Sequence, residues 1–143
     1  MARDGSAAHS ITDGLDRSVD AFQWALDGRS LYLQYDDKGM TRIARVGLDS
    51  RLQPVAAGLA GEELDRPYTG GGFSVSDDGL VAFTLGGSDH PPDLAVAGRG
   101  GTRRLTRLND DLFLGKSLGR VQALPPRVKA TRPSSETLKP PPV

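Results

Sequence analysis

The chain has 143 residues, no cysteine, and 18 basic side chains against 18 acidic ones. That length holds one modest domain or part of a larger one, and the lack of cysteine excludes both a disulfide framework and a thiolate metal site. No apolar run approaches the roughly 20 residues that cross a bilayer as a helix, and residues 1–14 (MARDGSAAHSITDG) lack the apolar stretch of a secretory signal. A cytoplasmic protein with no membrane partner is therefore expected.

The balanced charge hides an asymmetry. Residues 1–98 carry 8 Lys/Arg and 15 Asp/Glu, net −7, while residues 99–143 carry 10 and 3, net +7. A basic third can signal a nucleic-acid arm. Here the cations are scattered, and Phe113 is the sole aromatic after residue 110 that could stack on a base. No nucleic-acid partner is expected. Glycine (18) and proline (10) are abundant, which favours short strands and turns over long helices.

In chain order, residues 1–18 read as a polar lead-in without periodicity. Residues 19–25 (VDAFQWA) alternate as a strand with Phe22 and Trp24 on one face, and Asp27-Gly28 turns the chain. Strands follow at 30–35 and 41–46, separated by the turn Asp36-Asp37-Lys38-Gly39, and a fourth at 51–56 contains Pro54. Proline donates no ladder hydrogen bond, so this strand belongs at an edge. After the linker 59–71 the order recurs: 72–76, the turn Asp78-Gly79, then 80–85, 93–97 and 102–107. The two Asp-Gly turns lie 51 residues apart (78 − 27). A repeat of about 40–50 residues with several short strands per unit is the pattern of propeller blades. The expected fold is all-β: a partial, open β-propeller of two antiparallel four-stranded blades, 19–58 and 72–114. A handover segment and disordered Pro-rich basic tail follow at 115–143, because residues 124–143 hold six prolines and no aromatic.

On these residues, the chain resembles part of the N-terminal β-propeller of prolyl-oligopeptidase-family serine peptidases, of the acylaminoacyl-peptidase and dipeptidyl-aminopeptidase-like kind. The likeness is carried by ITDGLDRSVDAFQWALDGRSLYLQYDDKG (11–39), FSVSDDGLVAFTLGGSDHPPDLAV (73–96) and TRRLTRLNDDLFLGKSLG (102–119). In the first stretch Leu26 stands where the family's W-S-P-D-G motif has proline. The resemblance implies a propeller that caps an α/β-hydrolase domain and limits which peptides reach its Ser-Asp-His triad. No hydrolase sequence follows residue 119, so the expected role is non-catalytic: a truncated segment of a substrate-gating propeller. Peptide substrates or a hydrolase domain are the implied partners. The alternative is a stand-alone β-repeat interaction module, using open blade edges for strand addition or self-association.

Several motifs imitate active sites. Gly115-Lys116-Ser117-Leu118-Gly119 matches the G-x-S-x-G nucleophile elbow, which requires a strand before it and an acid and a histidine after it. His9 and His90 both precede Ser117, and Glu136 is the one acid downstream, so no triad is expected. Asp110 stands where a phosphate-binding loop needs glycine. The trio Asp89, His90 and Asp93 surrounds Pro91-Pro92 and reads as an exposed hairpin loop, and the carboxylate pairs Asp36-Asp37 and Asp77-Asp78 read as turns. No cofactor and no metal is expected. Trp24 reads as blade core. The segment expected to contact a peptide or partner is the linker, through Glu62, Glu63, Asp65, Arg66 and Tyr68. Packing between the blades is expected to bury Phe22, Trp24, Leu31, Leu33, Phe73, Val75, Val81 and Phe83.

Overall fold

The computed structural model describes residues 4–61, 70–117, 119 and 121–122. Its strands are β1 (Ala21–Trp24), β2 (Ser30–Asp37), β3 (Met40–Gly47), β4 (Leu52–Leu59), β5 (Phe73–Val75), β6 (Val81–Leu85), β7 (Asp93–Gly98) and β8 (Gly101–Arg104), followed by one short helix, α1 (Asp110–Phe113). Every pairing is antiparallel. The protein is thus all-β, with eight strands in one open sheet among the described residues. Within it β1 to β4 form one meander and β5 to β8 a second, matching the two sequence repeats. The meanders join where Leu59 pairs with Leu85. Beside that pair Ala60 N–H donates to Thr84 O (3.2 Å) and Gly86 N–H to Gly58 O (3.0 Å). Among the described residues no helix is long and apolar enough to cross a membrane.

The turn residues explain the pairing. Gly28 (φ 61) and Gly79 (φ 81) adopt the left-handed conformation that glycine accepts without a Cβ clash. In both turns the glycine N–H donates three residues back, to Ala25 O (3.1 Å) and Ser76 O (2.9 Å). The closing bonds run from Ala25 N–H to Ser30 O (3.0 Å) and from Ser76 N–H to Leu80 O (2.9 Å). The first loop is thus one residue longer, and the extra residue is Arg29. Pro54 is accommodated by a register shift: Ile43 pairs with Ala56 but Ala44 pairs with Pro54, which leaves Val55 as an extra residue in β4.

The core lies between the two meanders. Tyr32, Ile43 and Leu59 of the first pack against Val81, Phe83, Ala95 and Ala97 of the second, with Phe73 and Val75 partly buried beside them. Burying each large apolar side chain contributes about 1.5–3 kcal/mol. A second cluster, Leu31, Leu33 and Val46, lies on the opposite side of the first meander, where Ile11 and Leu15 pack on it.

This corrects the expected packing. The register pairs Phe22 with Leu33 and Trp24 with Leu31, so Phe22 and Trp24 share the face that turns away from the second repeat. They are 65% and 54% exposed. Leu31 and Leu33 are buried, but beneath residues of the lead-in. Phe73, Val75, Val81 and Phe83 do face the other repeat. The two repeats therefore stack in one direction, with the Phe73–Phe83 face of the second against the back of the first. The lead-in, which reads from the sequence as a polar stretch without periodicity, packs Ile11 and Leu15 against this second cluster. It is held there by Arg17, whose guanidinium donates to Asp37 Oδ1 at 3.0 and 3.1 Å.

Candidate partner-binding faces

Stacking in one direction leaves two unlike outer faces. On the second repeat the outer face carries Ala82, Thr84, Leu94 and Val96, with Thr84 opposite Leu94 and Ala82 opposite Val96. Leu94 is 43% exposed, as is Leu105, whose N–H donates to Leu94 O at 2.7 Å. Arg103 lies opposite Val96 on the same face. Its side chain is exposed and has no hydrogen-bond or ion-pair partner among the described residues. The corresponding pairs in the first repeat are Gln34–Ile43 and Tyr32–Arg45, and there Tyr32, Gln34 and Ile43 are buried while Arg45 keeps part of its side chain exposed.

The outer face of the first repeat carries Phe22 and Trp24 on β1, with Leu31, Leu33 and Val46 behind them under Ile11 and Leu15. Asp13 of the lead-in and Asp20, the residue before β1, are both exposed. Asp20 N–H donates to Gln34 O (2.9 Å), which extends the β1–β2 ladder by one bond and fixes where the lead-in joins the sheet.

Polar contacts line the seam between the repeats at both ends. Val75 N–H donates to Gln23 Oε1 (3.0 Å), Gln34 Nε2 to Gly71 O (3.1 Å), and Gly70 N–H to Thr41 Oγ1 (2.9 Å). A hollow of about 410 Å³ opens here, lined by Asp20, Phe22, Gln23, Gln34, Gly71 and Phe73. The linker that ends at this hollow carries Glu62, Glu63, Asp65, Arg66 and Tyr68, all of which lie outside the described residues, as does the tail from 123 onward. At the other end Asp27 accepts from Arg29 N–H (2.8 Å), Ser30 N–H (3.1 Å) and Arg45 Nη2 (2.5 Å). These bonds, led by that of Arg29, hold its carboxyl below the ordinary range. Arg45 also sits 5.9 Å from the Tyr32 ring centre.

Ser117 is exposed, and the element before Gly115 is α1, not the strand an elbow requires. Asp93, read from the sequence as part of an exposed trio with His90, is instead 3% exposed. It accepts from Leu108 N–H (3.0 Å) and Thr106 Oγ1 (2.7 Å), and it pairs with Arg104. These partners, the Leu108 N–H foremost, lower its pKa. Arg104 also reaches Asp110 at 2.5 Å, so the cluster ties the chain after β8 back onto β7. Asp89 remains beside His90 at 3.4 Å. Among the described residues no group of three His, Asp or Glu is placed to hold a metal ion.

With this geometry in view, comparison with protein-family models, with curated proteins and with solved structures finds no match for the chain.

Proposed function

We propose that the chain is a non-catalytic segment of a β-propeller, two blades long, that acts by contact with other protein chains. In this reading it is related in kind to the substrate-gating propeller of prolyl-oligopeptidase-type peptidases, whose partner is a peptide-hydrolysing domain. One observation carries the proposal. The two repeats stack so that the Phe73–Phe83 face of one meets the back of the other, and the equivalent faces at either end bear exposed apolar residues. Repeat folds gain their stability from such neighbour contacts, and two units leave both ends open.

The test is enzymatic. Alone, the chain is expected to leave aminoacyl and acyl-aminoacyl p-nitroanilides uncleaved. Added to a peptidase hydrolase domain made without its own propeller, it is expected to slow cleavage of long peptides more than of short ones. Turnover by the chain alone, abolished in Ser117→Ala, would overturn the non-catalytic reading. An unchanged ratio of long to short cleavage would remove the gating role and leave the interaction module.

A further inference from the structure

The partner of the two outer faces can be specified from the way the repeats already meet. Inside the chain, Ile43 is covered because Val81 and Phe83 of the next repeat pack on its side of the sheet. The position equivalent to Ile43 is Leu94, opposite Thr84 as Ile43 is opposite Gln34. The positions equivalent to Phe73 and Val75 are Phe22 and Trp24, at the same distance before their Asp-Gly turns. The chain therefore carries residues of both halves of its own internal interface a second time, and among the described residues they stand exposed: Leu94 at one end, Phe22 and Trp24 at the other.

Charge agrees with apolar shape. The Leu94 face carries Arg103, which has no hydrogen-bond or ion-pair partner among the described residues. The Trp24 face is flanked by the exposed Asp13 and Asp20. Opposite signs on the two ends favour contact between unlike faces and disfavour contact between like ones.

Building on the repeat-unit reading, we propose that the Leu94–Arg103 face of one copy docks on the Phe22–Trp24 face of a second copy, head to tail. Ile11 and Leu15 already cover Leu31, Leu33 and Val46, so the lead-in forms the outer part of the acceptor surface and the aromatic pair its centre. An interface of this kind is heterologous: it generates a ring if the rotation closes and an open series if it does not.

The experiment is sedimentation of the full chain from about 1 µM to about 500 µM, alongside Leu94→Glu, Arg103→Glu and Trp24→Glu. All three positions are exposed, and circular dichroism verifies that each variant keeps the fold. The wild type is expected to form oligomers as concentration rises, and each variant to lose at least about ten-fold in association. Leu94→Glu and Trp24→Glu, mixed in equal amounts, each retain the face the other lacks. They are expected to form a one-to-one dimer that grows no further. A wild type that stays monomeric throughout would overturn the second-copy partner while leaving the enzymatic test of the repeat-unit reading untouched. An oligomeric wild type whose mixed variants remain monomers would overturn the head-to-tail arrangement.

Discussion

Ile43 and Leu94 occupy the same position in the two repeats, yet Ile43 is 1% exposed and Leu94 43%. The difference is due to the neighbouring repeat, which covers Ile43 and, among the described residues, has no counterpart over Leu94. Truncating Ile43 removes contacts across the seam and leaves a cavity, whereas truncating Leu94 removes atoms that already face water. Ile43→Ala is expected to cost about 2–5 kcal/mol and Leu94→Ala about 0.5 kcal/mol or less, read by urea unfolding at a dilution where the chain is monomeric. Equal losses would mean that the seam is not the core.

Gly71 is a second point where the seam dictates the residue. Its φ is 84, and a Cβ there would stand 2.9 Å from Ala60 N and 3.1 Å from Ala60 O. Both are backbone atoms at the junction of the two meanders, so neither can swing aside as a side-chain tip would. Gly71→Ala is expected to destabilise by about 2 kcal/mol or more. Gly100→Ala, where nothing lies within 4 Å and φ is not positive, serves as the control and is expected to be near neutral. Matching melting temperatures for the two variants would contradict the close approach.

The eight strands were largely legible in the sequence, because Asp27-Gly28 and Asp78-Gly79 mark hairpins by their chemistry and the alternation between them is regular. The side of the sheet that forms the seam was not. In β2 both faces are buried, Leu31 and Leu33 on one and Tyr32 and Gln34 on the other, so alternation cannot tell which is inner. Phe22 and Trp24 drew the expectation toward their own face by size alone. The lead-in escapes the sequence for a related reason: Ile11 and Leu15 are two apolar residues in a polar stretch, and what holds them against β2 and β3 includes contacts distant in sequence, such as Arg17 to Asp37, twenty residues apart. The same limit applied to Asp93, whose burial depends on Thr106, Leu108 and Arg104 and not on its neighbours in SDHPPD. The candidate contact residues of the linker, Glu62 to Tyr68, lie outside the described residues.

Acid stability follows from the carboxylates. Asp93 is lowered by the Leu108 N–H, Thr106 and Arg104, Asp27 by the Arg29 N–H, Ser30 and Arg45, and Asp78 by the Ser76 hydroxyl and the Leu80 N–H. A carboxyl whose folded pKa lies below its unfolded value, about 3.9 for aspartate, contributes stability that is complete above the unfolded value. The contribution is lost as pH falls through the folded one. The melting temperature is expected to be level above about pH 5 and to fall below about pH 4. Asp93→Asn is expected to start lower at neutral pH and to show a shallower acid slope. A parallel slope in that variant would show that Asp93 adds nothing to the acid response.

The seam and the two ends should also differ in how readily they open. β2, β3, β6 and β7 contribute the buried residues Tyr32, Ile43, Val81, Phe83, Ala95 and Ala97, while β1 is exposed along its length and β8 nearly so. Local opening follows burial and the bonds a segment must break. Amides of β3 and β6 are therefore expected to exchange slowest, at the rate set by global unfolding, and those of β1 and β8 fastest among the strands. Raising the chain concentration should selectively slow β1 and β7, the strands that carry Trp24 and Leu94, since those are the surfaces a second copy would cover. Uniform slowing of all strands would point instead to general stabilisation, and no change would leave the two ends without a partner of this kind.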